Sequence, residues 1–187
     1  MLGQPGPITG DPTTAAEFNG AGQDVKWPTY AMYSGPFTVV AWINNLGTTG
    51  SAGQTFFDTR TKEADWGFDF TISHGKLQVD VGNGWSWLLS GQGIPYTFTA
   101  GTWYQVAAVV KMDRVGLYVD GTWIGTERYT SLSGTPLLYD RGHQVYLGRN
   151  PIYANSRFFG LIGQVAIFLS PLTATTINAI YQTGVSP

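Results

Sequence analysis

Apolar residues recur at every second position in one short segment after another, and this alternation constrains the fold more than any other feature. Residues 76–81 are the plainest case. Leu77, Val79 and Val81 fall on one side, and Lys76, Gln78 and Asp80 on the other, as a strand with one buried face requires. Residues 37–43 (Phe-Thr-Val-Val-Ala-Trp-Ile) are apolar on both faces, the pattern of a central strand covered on two sides. Residues 15–18, 55–59, 67–72, 85–88, 103–110, 115–119, 123–124, 144–148 and 161–169 continue the series, and 47–54 reads as a Gly/Ser/Thr loop. Asn19-Gly20 and Asn83-Gly84 mark turns, and Asp120-Gly121 between two strands predicts a type I′ hairpin. The period switches to 3.6 only near the end: Thr173 caps a short helix with Ile177, Ile180 and Tyr181 on one face and Gly184 at its stop. With no βαβ alternation, the expected fold is all-β: a two-sheet antiparallel jelly-roll sandwich with one short C-terminal helix. Residues 1–187 read as a single domain, of which 1–14 form a Gly/Pro-rich lead.

Composition excludes several classes of function. Charged residues make up 12% of the chain, against about a quarter in an average soluble protein, and the net charge is −2. No basic stripe is present. Arg60 and Lys62 are offset at once by Glu63 and Asp65, so a nucleic-acid partner is not expected. The absence of cysteine removes disulfides, thiolate metal sites and thiol nucleophiles. His74 and His143 are too few for a three-histidine zinc site, and both sit in turn contexts away from any Gly-x-Ser-x-Gly elbow. No stretch approaches the roughly eighteen apolar residues of a membrane span, and the first residues lack the basic and apolar regions of a signal peptide.

The order of short motifs from Ala15 onward resembles the laminin-G-like branch of the concanavalin A-like lectin/glucanase superfamily. The resemblance is carried by Ala-Glu-Phe18-Asn-Gly20, residues 37–43, Gly101-Thr-Trp103-Tyr-Gln-Val-Ala-Ala-Val-Val110, Val115-Gly-Leu-Tyr118-Val-Asp120-Gly121 and residues 159–168. The closing helix with Ile177, Ile180, Tyr181 and Gly184 completes it. The resemblance implies a jelly roll whose relatives include lectins, carbohydrate-binding modules, glycosidases, and adhesion or phage-tail modules. Relatives often begin with a Tyr-Trp-Arg-Leu-Gly strand, of which Leu2-Gly3 is the remnant, as expected of a module from a larger protein. Where relatives carry Gly-x-Ile-Asp-Glu-Val, this chain has Gly160-Leu-Ile162-Gly163-Gln164-Val165 and so lacks the two acids that serve a structural calcium.

The glucanase motif Glu-x-Asp-x-(x)-Glu finds only Glu63-Ala-Asp65-Trp66-Gly67-Phe68, without the third acid, so the expectation is a non-catalytic module. Sugar recognition needs an aromatic plate beside planar polar groups. Trp85 and Trp87 alternate on one segment, and Trp66 follows an exposed loop. Arg149, Asn150, Tyr153, Asn155 and Arg157 gather before the last strand, and together with the three tryptophans they form the candidate ligand set. No cofactor is required. Calcium remains open, with Asp24 and the backbone carbonyls of Asn19 and Gly22 as the hard-oxygen set. The expected partner is a glycan or polysaccharide at an extracellular, cell-surface or virion surface, without membrane insertion. The alternative is a structural or assembly module of a fibre, phage tail, virion or surface protein, with protein partners in a larger assembly, and a glycosidase comes third.

Overall fold

The computed structural model describes residues 1–8, 10, 12–47, 53–60 and 66–185. In chain order the strands are β1 (Gln4–Pro5), β2 (Thr14–Asn19), β3 (Val25–Pro28), β4 (Tyr33–Ser34), β5 (Phe37–Asn45), β6 (Gln54–Asp58), β7 (Phe68–Ser73) and β8 (Lys76–Gly82). There follow β9 (Trp87–Leu89), β10 (Ile94–Pro95), β11 (Trp103–Val110), β12 (Arg114–Val119), β13 (Thr122–Arg128), β14 (Leu137–Tyr139), β15 (Gln144–Leu147) and β16 (Phe159–Phe168), and then helix α1 (Ala174–Val185). One sheet runs β1-β2-β16-β5-β11-β12-β13. The other runs β10-β8-β7-β6-β15-β3, with β9 also on β8, while β14 and β4 form a small separate ladder. The pairings are antiparallel, and the architecture is the mostly-β sandwich with a C-terminal helix that the alternation predicts.

The core lies between the two sheets. Phe37, Val39, Ala41 and Ile43 of β5 face Phe56, Phe57, Phe68, Phe70, Leu77 and Val79 of the second sheet, all fully buried. Burying each large side chain contributes about 1.5–3 kcal/mol. The phenylalanines meet edge to face, as in Phe37–Phe68 with centroids 5.1 Å apart at 87°. Gly160 permits the close approach of β16 to β5: its φ is +147°, and a Cβ there would stand 2.0 Å from the Asn44 carbonyl oxygen.

The two outer faces differ. On β5 and β11 the outward residues Val40, Ala107 and Val109 pack under Ile177 of α1, and Trp42 stacks on Tyr181 at 5.8 Å. This cover is why β5 reads apolar on both sides. Thr173 caps the helix, its Oγ1 accepting the Thr176 N–H at 3.1 Å. Gly184 does not end the helix but lies inside its last turn, where a Cβ would come within 2.8 Å of the Trp42 ring. The lead also departs from expectation, because β1 pairs with β2 and the Met1 carbonyl accepts the Glu17 N–H at 2.7 Å. In the hairpin at Asp120-Gly121, φ is +49° and +72°, as a type I′ turn requires. Residues 48–52 of the expected loop, and Glu63 and Asp65 of the acidic string, lie outside the described residues, while Gln54 already belongs to β6. No helix among the described residues is long and apolar enough to cross a membrane.

Candidate functional site

Among the described residues no helix covers the outer face of the second sheet, and its outward positions are polar. Register places Asp58 of β6 directly opposite Asp69 of β7, and Asp69 opposite Asp80 of β8, so three carboxylates share one rung. Like charges at such spacing repel, and a nearby cation eases the arrangement. Arg60 provides it. Its Nη2 is 3.1 Å from Asp69 Oδ2, its Nε is 3.8 Å from Asp58 Oδ2, and its backbone N–H donates to Asp58 Oδ1 at 2.6 Å. Asp58, Arg60 and Asp69 are all at least 97% buried.

The electrostatics follow from that burial. Loss of water pushes the Asp58 carboxyl up to about 7, with Arg60 pulling against it. Asp69 is also driven well above the carboxylate range, by burial first and then by Asp80 and Asp58. For Arg60, burial acts to lower the pKa, but Asp69 and Asp58 outweigh it and hold the group above its ordinary value. Asp58 Oδ2, Asp69 Oδ1 and Arg60 Nε have no hydrogen-bond partner among the described residues. Asp80, nearer solvent, accepts from Gln78 Nε2 at 3.1 Å and from the Gly91 N–H at 2.9 Å.

Two aromatic rings clasp the guanidinium: Arg60 Cζ lies 5.0 Å from the Trp87 centroid and 5.6 Å from the Tyr153 centroid. Tyr153 comes from the 149–158 loop, which closes through the Arg149–Arg157 bridge. Asn150 shapes that loop, its Oδ1 accepting the N–H groups of Ile152 (2.8 Å) and Tyr153 (3.0 Å). Between loop and sheet is an open cleft of about 180 Å³ lined by Arg60, Asp69, Thr71, Ser73, Gln78, Asp80, Asn150, Tyr153 and Ser156. Such a surface offers carboxylate, amide and hydroxyl groups to the hydroxyls of a small polar ring, beside the wall of a tyrosine.

Of the sequence-predicted residues, the structure brings Asn150 and Tyr153 together at this cleft, with Trp87 behind the Arg60 guanidinium. The others lie elsewhere. Trp85 is 85% exposed, in a turn rather than on a strand with Trp87, because Asn83 Oδ1 accepts the N–H groups of Trp85 and Ser86, both at 2.8 Å. Trp66 sits against Gly82, with its carbonyl accepting the Gly84 N–H at 2.9 Å. Arg149 Nε pairs with Asp24 Oδ2 at 2.9 Å, so the carboxylate proposed for calcium faces a guanidinium instead. Asn19 turns its side chain to the Ala21 N–H at 2.9 Å, and the Arg157 guanidinium underlies Gly22. Asn155 is an exposed turn residue. Among the described residues, no group of three or more His, Cys, Asp or Glu is placed to hold a metal ion. Sequence reasoning missed Asp58, Arg60 and Asp69. Their outward direction on alternating strands was readable, but the register that makes them one rung was not.

Known proteins place this geometry in a family. No curated protein sequence matches the chain. Among solved structures, a native heptameric SAP-like pentraxin from Limulus polyphemus superposes with a TM-score of 0.71 at 18% identity, over 90% of this chain and 82% of that one. Domain 4 of AbnA, an extracellular GH43 arabinanase from Geobacillus stearothermophilus solved with arabinotriose, gives 0.63 at 21% identity, over 91% and 77%. A botulinum neurotoxin type C structure, whose cell entry depends on two ganglioside molecules, gives 0.59 at 16%, over 81% of this chain and 36% of that one. Identities this low show the fold alone; several of the structures matched are toxin binding domains and one is a domain of a glycosidase. The family model that matches residues 19–178 is Laminin_G_3, and the chain therefore belongs to the laminin-G-like family of the concanavalin A-like lectin/glucanases superfamily.

Proposed function

We propose that the protein is a non-catalytic carbohydrate-binding module whose ligand, a glycan or polysaccharide at an extracellular, cell or virion surface, enters the cleft between β6–β8 and the 149–158 loop. The observation that carries this reading is the cleft itself. Asp80, Gln78, Ser73, Asn150 and Ser156 converge on about 180 Å³ beside Tyr153, on the outer face of the second sheet. The non-catalytic part is supported by the carboxylates. Asp58 and Asp69 are buried and engaged by Arg60, which leaves Asp80 as the accessible acid of the rung, where glycoside hydrolysis calls for two.

The arabinotriose bound to the similar arabinanase domain makes short arabino-oligosaccharides the first probes, followed by a broad glycan array in calcium and again in EDTA. Binding is expected at millimolar to micromolar affinity, unchanged by EDTA. It should be weakened about ten-fold or more by Tyr153→Ala or Asp80→Ala, which remove a ring contact and charge-assisted hydrogen bonds. Trp85→Ala should leave it intact. Hydrolysis of a bound oligosaccharide, or binding that survives both cleft variants, would overturn the proposal.

A second reading, an assembly module that contacts protein, is favoured by a different feature. Trp27, Tyr30, Tyr139, Ile167 and Leu169 line a mainly apolar hollow of about 370 Å³ beside β3, with Tyr30 84% exposed. Blank glycan arrays together with a Tyr30-dependent protein contact would favour that reading.

A further inference from the structure

The helix covers only part of the first sheet's outer face. Beyond it, at the β12–β13 corner, lies an open cavity of about 420 Å³, larger than the cleft on the opposite sheet. Alternate rungs of one hairpin build it in steps. Tyr118 stands directly opposite Trp123, Gly116 opposite Thr126, and Arg114 opposite Arg128. The aromatic pair forms a wall and the small pair a floor, and of the cation pair Arg114 lines the cavity. Trp123 is 56% exposed, and its orientation is fixed by Nε1 donating to Thr126 Oγ1 at 3.2 Å. Lys111 lines the same cavity, exposed and without an ion-pair partner among the described residues.

Charge at this corner runs against the rest of the molecule. Asp113 Oδ2 lies 2.8 Å from Arg114 Nη1 and 3.6 Å from Arg128 Nη1, so one carboxylate stands against Lys111, Arg114 and Arg128, in a chain whose net charge is −2. Among the described residues, no acidic residue lines the cavity, and the first turn of α1, which borders it, contains none.

We propose that this cavity is a second ligand site, independent of the cleft on the other sheet, and that it takes a carboxylate-bearing sugar residue of an acidic saccharide. The C–H face of the ring lies on Trp123 and Tyr118, and the carboxylate is directed to Lys111 and Arg114. The volume suits one or two pyranose rings. An exposed aromatic plate beside two cations fits a ring with one apolar face and one negative edge. An acidic peptide would instead be expected along the free β13 edge, which leaves the cavity floor unused.

The test is an NMR titration of the ¹⁵N-labelled 187-residue chain. It follows the tryptophan indole N–H signals against digalacturonic acid, with galactobiose as the neutral control, at 0.05 M and 0.5 M salt. The Trp123 signal should move with the acid and not with galactobiose, while the Trp87 signal stays in place. Affinity should fall about two- to five-fold in Lys111→Ala, an exposed charge contact, and by a similar factor at high salt. Trp123→Ala should weaken binding about ten-fold, with circular dichroism confirming the fold. The proposal is overturned if galactobiose binds as well as the acid, if Trp87 moves in place of Trp123, or if an Asp/Glu-rich peptide shifts Trp123 where digalacturonate does not. Loss of cleft binding in Tyr153→Ala leaves this result untouched, so the two sites fail separately.

Discussion

Replacing Arg60 with methionine isolates the electrostatics of the carboxylate rung. Methionine keeps much of the apolar stem and removes the charge that Asp58 and Asp69 face at 3.8 and 3.1 Å. At pH 8 the variant must bury two carboxyls with no cation, and breaking a buried pair in this way costs about 3–5 kcal/mol. For a chain of this length that corresponds to a fall in Tm of roughly 6–20 °C. At pH 4.5 the cost should be much smaller. Burial already holds the folded-state Asp58 up at about 7, so it is protonated there, and Asp69 is raised in the same direction, so less charge is left without a partner. What remains is the stacking of the guanidinium on Trp87 and Tyr153, about 1–2 kcal/mol.

The unsubstituted protein has its own pH signature. Between about pH 4 and pH 7 the folded chain keeps the Asp58 proton that the unfolded chain has released, so stability falls as pH rises through that window, and the raised Asp69 acts in the same direction. The swing is on the order of 2–4 kcal/mol. In Arg60→Met the window extends to higher pH, because the charge that pulled the carboxyl pKa values down is gone. Urea unfolding followed by tryptophan fluorescence at pH 4.5 and pH 8 reads both effects. Adding Asp69→Asn to Arg60→Met should recover part of the loss at pH 8. An Arg60→Met penalty that is equal at the two pH values would refute the reasoning, as would a wild-type stability that rises from pH 4 to pH 7.

Two further predictions concern the scaffold. Gly148→Ala forces a Cβ to within 2.1 Å of the buried Phe18 ring at φ +90°, so strain and overpacking together should cost about 2–6 kcal/mol in urea unfolding. Thr173→Ala removes the acceptor for the Thr176 N–H and should cost about 1 kcal/mol, with Thr173→Ser retaining most of it; a Tm unchanged to within 1 °C in the alanine variant would remove the cap from the account.

The features legible in the sequence are those fixed by neighbours in the chain. Alternation over 76–81 located β8, the apolar run over 103–110 located β11, the Asp120-Gly121 pair located a turn with both φ values positive, and the 3.6 period located α1. The short strands β1, β3, β10 and β14 escaped because two to four residues, with Pro5, Pro28 and Pro95 among them, carry no period and are held by their partners alone. Gly184 misled for a related reason. A glycine near a helix end signals a stop, but here the missing side chain makes room for Trp42, a residue far away in sequence. Trp85 and Trp87 show the same division, since one Asn83 side chain lifts Trp85 out of the strand and into solvent.

The candidate site was illegible on the same grounds, taken one step further. Asp58, Asp69 and Asp80 are separated by stretches of chain that a reader would assign to three independent strands, each with an ordinary outward acid. Only pairing in register turns them into a single rung, and only that rung explains why Arg60 is buried rather than solvated. Once the rung exists, its burial accounts for the raised carboxyl pKa values, and Arg60 sits where Trp87 and Tyr153 can flank it. The 149–158 loop is legible by composition, but its role depends on what lies opposite. It contributes Asn150 and Tyr153 to the cleft because β6–β8 supply the polar floor, whereas Arg149 and Arg157 turn away to Asp24 and Gly22. Helix α1 covers part of one outer face, whereas on the other the 149–158 loop borders an open polar cleft, and that asymmetry sets the surroundings of the outward residues of β6–β8.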